Sequence, residues 1–130
     1  MRVTEQRRLA TLEAELARLK AQIASVGLVS PGSVVRRFMP CGKPGCRCQG
    51  DPPQLHGPYW QWSHKVAGKT ITRRLTPDQA RLYQQWIANR RRLRELLARM
   101  EQVSSQAAEI LLRDTEVAHP RPVHTPARAR

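Results

Sequence analysis

The sequence predicts an α+β fold in which a small three-stranded antiparallel β module is inserted between two long coiled-coil helices. Segments on both sides of the module repeat apolar residues at alternating intervals of three and four, which is typical of coiled coils. The middle of the 130-residue chain holds all three cysteines and most of the aromatic residues, which favour strands. The predicted boundaries are 1–28 for the first helix, 29–75 for the module, 76–115 for the second helix and 116–130 for a tail.

The first helix carries one apolar seam. Its a and d positions are Leu9, Leu12, Leu16, Leu19 and Ile23, and charged residues occupy outer positions. The same pattern fits a helix that pairs within its own chain and a helix that pairs with another chain. The sequence therefore predicts helix pairing and leaves both arrangements open.

The second helix begins at a clear capping signal. Thr76, Pro77 and Gln79 form a T-P-x-Q capping box with proline at the first helical position. The seam that follows consists of Leu82, Trp86, Asn89, Leu93, Leu96, Met100, Val103, Ala107 and Ile110. An amide at a seam position, such as Asn89, sets register or oligomeric state. This helix exceeds the first by more than a heptad, so one antiparallel partner cannot cover it. We therefore expect a homodimer or a partner protein.

The ends of the chain carry two further expectations. Residues 116–130 are basic and broken by proline, so we expect a disordered tail. No apolar run approaches the roughly 18–20 residues that span a bilayer. The N-terminal segment also lacks the hydrophobic stretch of a signal peptide. The expected location is therefore cytoplasmic.

The β module is predicted to contain three short strands. They cover residues 33–38, 58–66 and 69–75, and a tight turn at Ala67 and Gly68 joins the last two. Strict alternation places the side chains of Trp60 and Trp62 on one face. The predicted buried residues are Trp60, Trp62, Val66, Ile71 and Leu75.

The cysteines follow the spacing C-x4-C-x-C, and x7-H comes next. Three cysteines in a reducing compartment, two of them one residue apart, favour a metal site over a disulfide. Thiolate sulfur and imidazole nitrogen are preferred ligands of Zn²⁺. We therefore predict one structural Zn²⁺ per chain, held by Cys41, Cys46, Cys48 and His56, with His64 as the alternative fourth ligand.

The module is not predicted to hold a catalytic site. A catalytic zinc needs an open coordination position and usually a neighbouring acid. Asp51 is the only carboxylate between residues 30 and 75. The cysteines are already assigned to the metal, so we expect that the protein is not an enzyme.

The formal charge of +13 indicates a polyanionic partner, and nucleic acid is the commonest polyanion in a cytoplasm. Between residues 30 and 75, eight basic residues stand against one acidic residue, and more arginines follow on the second helix. The candidate phosphate-binding residues are Arg36, Arg37, Lys43, Arg47, Lys65, Lys69, Arg73, Arg74, Arg90, Arg91, Arg92 and Arg94. We expect DNA more than RNA, and no membrane partner.

Three short motifs give the chain a resemblance to a known family. They are C-G-K-P-G-C-R-C at Cys41–Cys48, H-G-P-Y at His56–Tyr59 and G-K-T at Gly68–Thr70, followed by the arginine-rich residues 91–94. Through these motifs, roughly residues 30–97 resemble a widespread family of small prokaryotic proteins with a domain of unknown function. Several members are encoded near transposases and other mobile-element genes. The resemblance implies that the cysteines and His56 form one unit. The first helix and the tail fall outside it.

The predicted function is nucleic-acid binding, with double-stranded DNA as the favoured ligand. The predicted biological role is that of an accessory or regulatory protein of a mobile element. Two alternatives stay open. One is a coiled-coil adaptor that docks on a transposase or recombinase, and the other is an RNA- or ribosome-binding protein. The predicted oligomerisation residues are Leu9, Leu12, Leu16, Leu19, Ile23, Asn89, Leu93, Leu96, Met100 and Val103.

Overall fold

The computed structural model describes residues 1–118 and confirms the α+β fold. Its elements are α1 (Val3–Ala24), β1 (Ser33–Met39), β2 (His56–Val66), β3 (Lys69–Leu75) and α2 (Pro77–Ala118), with a single 3-10 turn (Arg47–Gln49) between β1 and β2. Residues 116–118, which we expected in the tail, continue α2. The rest of the predicted disordered tail, residues 119–130, lies outside the described residues.

The three strands form one antiparallel sheet in the order β1-β2-β3. β1 pairs with β2 from Ser33 opposite Ser63 to Met39 opposite His56. The predicted hairpin turn joins β2 to β3, and both of its residues, Ala67 and Gly68, have left-handed φ values of 50° and 80°. Two successive positive φ values are typical of a type I′ turn, whose twist matches that of the flanking strands.

One face of the sheet packs against α2, and we call it the packed face. Directly opposed residues share a face, so Trp62 lies beside Arg73 on this side. The Trp62 ring stacks on His64 at 3.9 Å and on Tyr83 of α2 at 4.5 Å between ring centroids. Tyr83 in turn meets Trp86 edge to face at 5.0 Å. Aromatic contacts therefore anchor the first half of α2 to the sheet.

Burial on the packed face is limited to the end nearer the start of α2. Leu75 is 5% exposed, and both Trp60 and Trp62 are half-buried. Val66 and Ile71 are 47% and 45% exposed, so the prediction that they are buried is wrong. Tyr83 of α2 packs on Trp62, and Val66 and Ile71 lie nearer the hairpin turn than Trp62 does. Side-chain alternation does not reveal how far along the strands α2 covers the sheet.

The start of α2 follows the predicted capping box. The backbone N–H of Thr76 donates to Oε1 of Gln79 at 2.9 Å, and the backbone N–H of Gln79 donates to Oγ1 of Thr76 at 3.2 Å. These two bonds satisfy backbone donors that the first helical turn leaves without partners.

The first half of α2 also holds the segment between α1 and β1. The backbone N–H of Ser30 donates to the Trp86 carbonyl at 3.1 Å, and the Asn89 amide donates to the Leu28 carbonyl at 2.8 Å. The side chain of Asn89 therefore has a role within the chain that needs no partner chain. Leu82, predicted in the same seam, is 47% exposed.

The chain divides into two compact units, residues 26–93 and residues 1–25 together with α2 from Arg94 onwards. In the latter unit, two ion pairs join Arg99 to Glu15 at 3.4 Å and the Met1 amino group to Asp114 at 3.1 Å. Because low residue numbers meet high ones, the helices run antiparallel. The buried seam residues of this unit are Leu12, Leu19, Leu96, Val103 and Ile110. The pairing within one chain is thus resolved, and true coiled-coil geometry stays a prediction.

The extra length of α2 is explained by these two roles. Its first half packs on the sheet, and its second half pairs with α1. The surplus length of α2 therefore needs no second chain to explain it, and the homodimer stays a prediction. Within the described residues, none of the helices combines the length and apolar character needed to cross a membrane.

Candidate metal centre and basic sheet face

Cys41, Cys46, Cys48 and His56 converge on one point. Their four ligand atoms all lie within 4.8 Å of one another. The Sγ atoms of Cys41 and Cys48 are 3.4 Å apart, and Sγ of Cys46 is 3.1 Å from Nε2 of His56. A tetrahedral zinc with bonds of about 2.3 Å to sulfur would separate two sulfur ligands by about 3.8 Å. The cluster therefore has the size of a metal site.

The loop that carries the cysteines folds back on itself through backbone contacts. Gly45 has a φ of 81°, which lets the chain turn sharply before Cys46. The 3-10 turn then places Cys48 at 3% exposure. The backbone N–H of Gln54 donates to the Arg47 carbonyl at 3.1 Å and returns the chain toward the cysteines. These contacts bring His56 within reach of ligands that precede it in the chain.

A glycine at the start of β2 allows His56 to approach the three cysteines. The register of β1 against β2 shifts between Arg37 and Met39, and Met39 pairs with His56. Gly57 has a φ of 138°, and a Cβ at this position would lie 2.8 Å from the Arg37 carbonyl oxygen. Only glycine fits this close contact without strain. Residue spacing alone does not reveal this role of Gly57, and its position next to a predicted ligand was the available signal.

His64 does not belong to the cluster. It lies eight positions further along β2, or roughly 27 Å of extended strand. Its ring stacks on Trp62, and its Nδ1 atom is buried without a hydrogen-bond partner among the described residues. Of the two alternatives for the fourth ligand, the structure selects His56.

The environment favours a thiolate at Cys46. The pKa of Cys46 is lowered to about 6, first by a hydrogen bond from the Cys48 backbone and then by the thiols of Cys41 and Cys48 and by His56. The pKa of Cys41 is raised. A hydrogen bond from the Lys43 backbone lowers it, but the neighbouring thiols of Cys48 and Cys46, together with burial, outweigh that bond. Metal binding requires thiolates, and the lowered pKa of Cys46 favours that form.

Gln49 supports the cluster from outside the ligand set. Its side-chain amide donates to the Cys41 carbonyl at 2.8 Å and lies 3.9 Å from Sγ of Cys48. Such contacts orient metal ligands. Sequence spacing gave no sign of this role, because a glutamine next to a cysteine has no distinctive pattern.

The four protein ligands would close a tetrahedral site and leave no position for a substrate. This is the one group of three or more His, Cys, Asp or Glu side chains in residues 1–118 that could hold a metal ion. The ligand chemistry and the dimensions fit Zn²⁺.

The side of the sheet opposite the packed face is rich in basic residues, and we call it the open face. By strand register it consists of Ser33, Val35, Arg37, Tyr59, Gln61, Ser63, Lys65, Thr70, Thr72 and Arg74. Arg37, Lys65 and Arg74 are exposed, and no acidic residue lies on this face. The guanidinium carbon of Arg74 is 4.2 Å from the centre of the Tyr59 ring.

The remaining basic candidates lie elsewhere. Arg36 and Arg73 belong to the packed side, where the Arg36 guanidinium carbon is 5.5 Å from the centre of the Phe38 ring. Lys43 and Arg47 are exposed in the cysteine loop, and Lys69 is exposed beside the hairpin turn. On α2, Arg91, Arg92 and Arg94 are exposed and Arg90 is half-buried. Successive helical positions point in different directions, so the helical arginines do not form one flat surface.

Comparison with known proteins identifies a family match. The model of a domain of unknown function, DUF6788, matches residues 4–85. This range contains the metal cluster and the sheet, and it begins inside α1. Our expectation that the first helix lies outside the family domain is therefore wrong. No curated protein and no solved structure matches the chain.

Proposed function

This chain belongs to the DUF6788 family, and we propose that it binds nucleic acid, with double-stranded DNA as the preferred form. The observation that carries this proposal is the charge of the β module. Between residues 30 and 75, eight basic residues outnumber one acidic residue. All eight basic side chains are exposed. Phosphates accept paired hydrogen bonds from guanidinium groups, so arginines on a side of the sheet that α2 leaves uncovered are suited to a nucleic-acid backbone.

The metal has a structural role in this proposal. One Zn²⁺ per chain is held by Cys41, Cys46, Cys48 and His56, and it ties the end of β1 to the start of β2. A β module of this size buries little apolar surface and needs such a constraint. The metal would therefore stabilise the sheet that presents the arginines, and the protein would have no catalytic role.

The biological setting that we propose is an accessory or regulatory role in a mobile element, in the cytoplasm. This part rests on the resemblance of the motifs at Cys41–Cys48 and His56–Tyr59 to proteins encoded near transposase genes. The helical pairing of α1 with α2 would add a coiled-coil surface for a second copy or for a mobile-element protein.

Binding measurements at two salt concentrations test the main proposal. The zinc-loaded full chain would be titrated into a labelled DNA duplex and an RNA duplex of the same sequence. We expect tighter binding to DNA and an affinity that falls steeply between about 50 and 200 mM salt, because phosphate contacts release counterions. Absent or salt-independent binding of DNA would refute the proposal, and preference for RNA would replace it with the RNA-binding alternative.

A protein adaptor is the second candidate function. Leu97, Leu111 and Leu112 on the second half of α2 are 44%, 49% and 59% exposed. Exposed apolar side chains on one helix are suited to a partner helix. Size-exclusion chromatography of the full chain with a candidate transposase or recombinase would test this function, and co-elution that survives nuclease and high salt would support it.

A further inference from the structure

The open face carries three cations, Arg37, Lys65 and Arg74, and its strand residues include no carboxylate. Neither Arg37 nor Arg74 forms an ion pair with any described residue. The rest of the face consists mainly of hydroxyl and amide side chains, including the Ser63–Thr72 pair at 3.1 Å. A surface of this composition complements a polyanion.

The two arginines stand on opposite sides of Tyr59. Arg37 is the direct cross-strand partner of Tyr59 on β1, and Arg74 extends over the tyrosine ring from β3. Arg37 pairs with Tyr59 and Arg74 pairs with Gln61 on the intervening strand β2, so the two arginine backbones lie roughly 12 Å apart. Each guanidinium can therefore contact a separate phosphate.

Tyr59 also restricts the motion of Arg74. A guanidinium stacked on an aromatic ring keeps its planar fork of N–H donors available at the edge. A side chain that is already oriented loses less conformational entropy on binding. Tyr59 is half-buried, and its ring contacts the Arg74 guanidinium.

The packed side offers no comparable surface. Tyr83 of α2 stacks on Trp62 of this side, and Arg73 lines a cleft with Leu75 and Tyr83. The helix α2 therefore occupies part of this side of the sheet. Although the formal charges of Arg36 and Arg73 equal those of Arg37 and Arg74, the two pairs point to opposite sides of the sheet.

We propose that the open face is the DNA interface, that Arg37 and Arg74 each contact a phosphate of the duplex backbone, and that Tyr59 positions Arg74. This inference rests on the proposed nucleic-acid binding and specifies its surface. In each pair of neighbouring arginines, Arg36 with Arg37 and Arg73 with Arg74, the side chains lie on opposite sides of the sheet. Only the one on the open face contacts DNA in this proposal.

The chain supplies its own matched control for the test. One double variant carries Arg37→Gln and Arg74→Gln, and the other carries Arg36→Gln and Arg73→Gln. Both lose the same charge from adjacent positions, so the long-range field changes equally. Binding of a short labelled DNA duplex is measured for both at several salt concentrations, after zinc content and thermal unfolding show that each variant is folded.

We expect the open-face variant to bind at least about tenfold more weakly than the wild type, with its salt slope reduced by about 2, one for each lost phosphate contact. The control variant should keep the wild-type slope. Tyr59→Leu should weaken DNA binding, but less than the open-face double variant does. Tyr59→Phe should bind DNA as tightly as the wild type, since the ring and not the hydroxyl supports Arg74.

Two kinds of outcome would overturn the inference, and they are distinguishable. Equal losses in both double variants, or a loss confined to the control variant, would refute the open face as the interface and leave nucleic-acid binding intact. If the wild type did not bind the duplex at all, the proposed function would fail and this inference with it.

Discussion

The Sγ atom of Cys46 lies 3.1 Å from Nε2 of His56, and this contact joins the loop after β1 to the first residue of β2. The same point receives Cys41 and Cys48, so four ligands from a span of 16 residues meet at one place. A metal at this point would hold together the end of β1 and the start of β2, where the pairing of these two strands ends.

Zinc stoichiometry should depend on His56 and not on His64. We expect the wild type, purified without chelators, to contain one zinc per chain. His56→Ala removes a ligand and should reduce the zinc content and weaken its affinity at least about tenfold. His64→Ala should retain the full zinc content, since His64 stacks on Trp62 outside the cluster. Elemental analysis measures both variants, and full zinc retention in folded His56→Ala protein would contradict the assigned ligand set.

Gly57→Ala should destabilise the protein. The substitution places a Cβ 2.8 Å from the Arg37 carbonyl at a φ of 138°. We expect a loss of about 1–3 kcal/mol in the free energy of unfolding, because L side chains are strained in this region. Chemical denaturation of the zinc-loaded protein measures the effect.

Gly42→Ala is the matched control in the same module. A Cβ on Gly42 would meet no atom within 4 Å, and its φ is not positive. We expect a change within about 0.5 kcal/mol. Equal effects of the two substitutions would show that the close approach at Gly57 does not exist.

Neighbouring leucines on α2 should differ sharply in their contribution to stability. Leu96 is 1% exposed and Leu97 is 44% exposed. Leu96→Ala should reduce the free energy of unfolding by about 2–5 kcal/mol, because it leaves a cavity in the helical core. Leu97→Ala should change it by about 0.5 kcal/mol or less. Urea denaturation at several protein concentrations checks both, and a large, concentration-dependent effect of Leu97→Ala would indicate that a second chain covers this face.

Much of the β module could be predicted from residue patterns, since the signals are local. The strand at Lys69–Leu75 has its predicted bounds, and the cysteine spacing identified a cluster that the fold brings together. Both depend on short-range geometry, namely side-chain alternation and a turn with glycine. The choice between His56 and His64 needed the strand register, which spacing does not supply.

The elements that pack on α2 could not be predicted, because a continuous apolar seam does not indicate which element covers it. The 4–3 repeat continues from Trp86 to Ile110, yet the sheet contacts its beginning and α1 pairs with its end. The same limit explains the error at Val66 and Ile71. Alternation assigns a residue to a face, whereas burial depends on how far the neighbouring layer extends.

The proposed role of the metal is to hold the basic sheet in the form that binds DNA. Its most direct test is the affinity of the full chain for a DNA duplex, measured by fluorescence anisotropy before and after zinc removal by a chelator. We predict that metal removal weakens binding, that it lowers the salt slope, and that added Zn²⁺ restores both. Binding of equal affinity and equal salt slope with and without the metal would contradict this role.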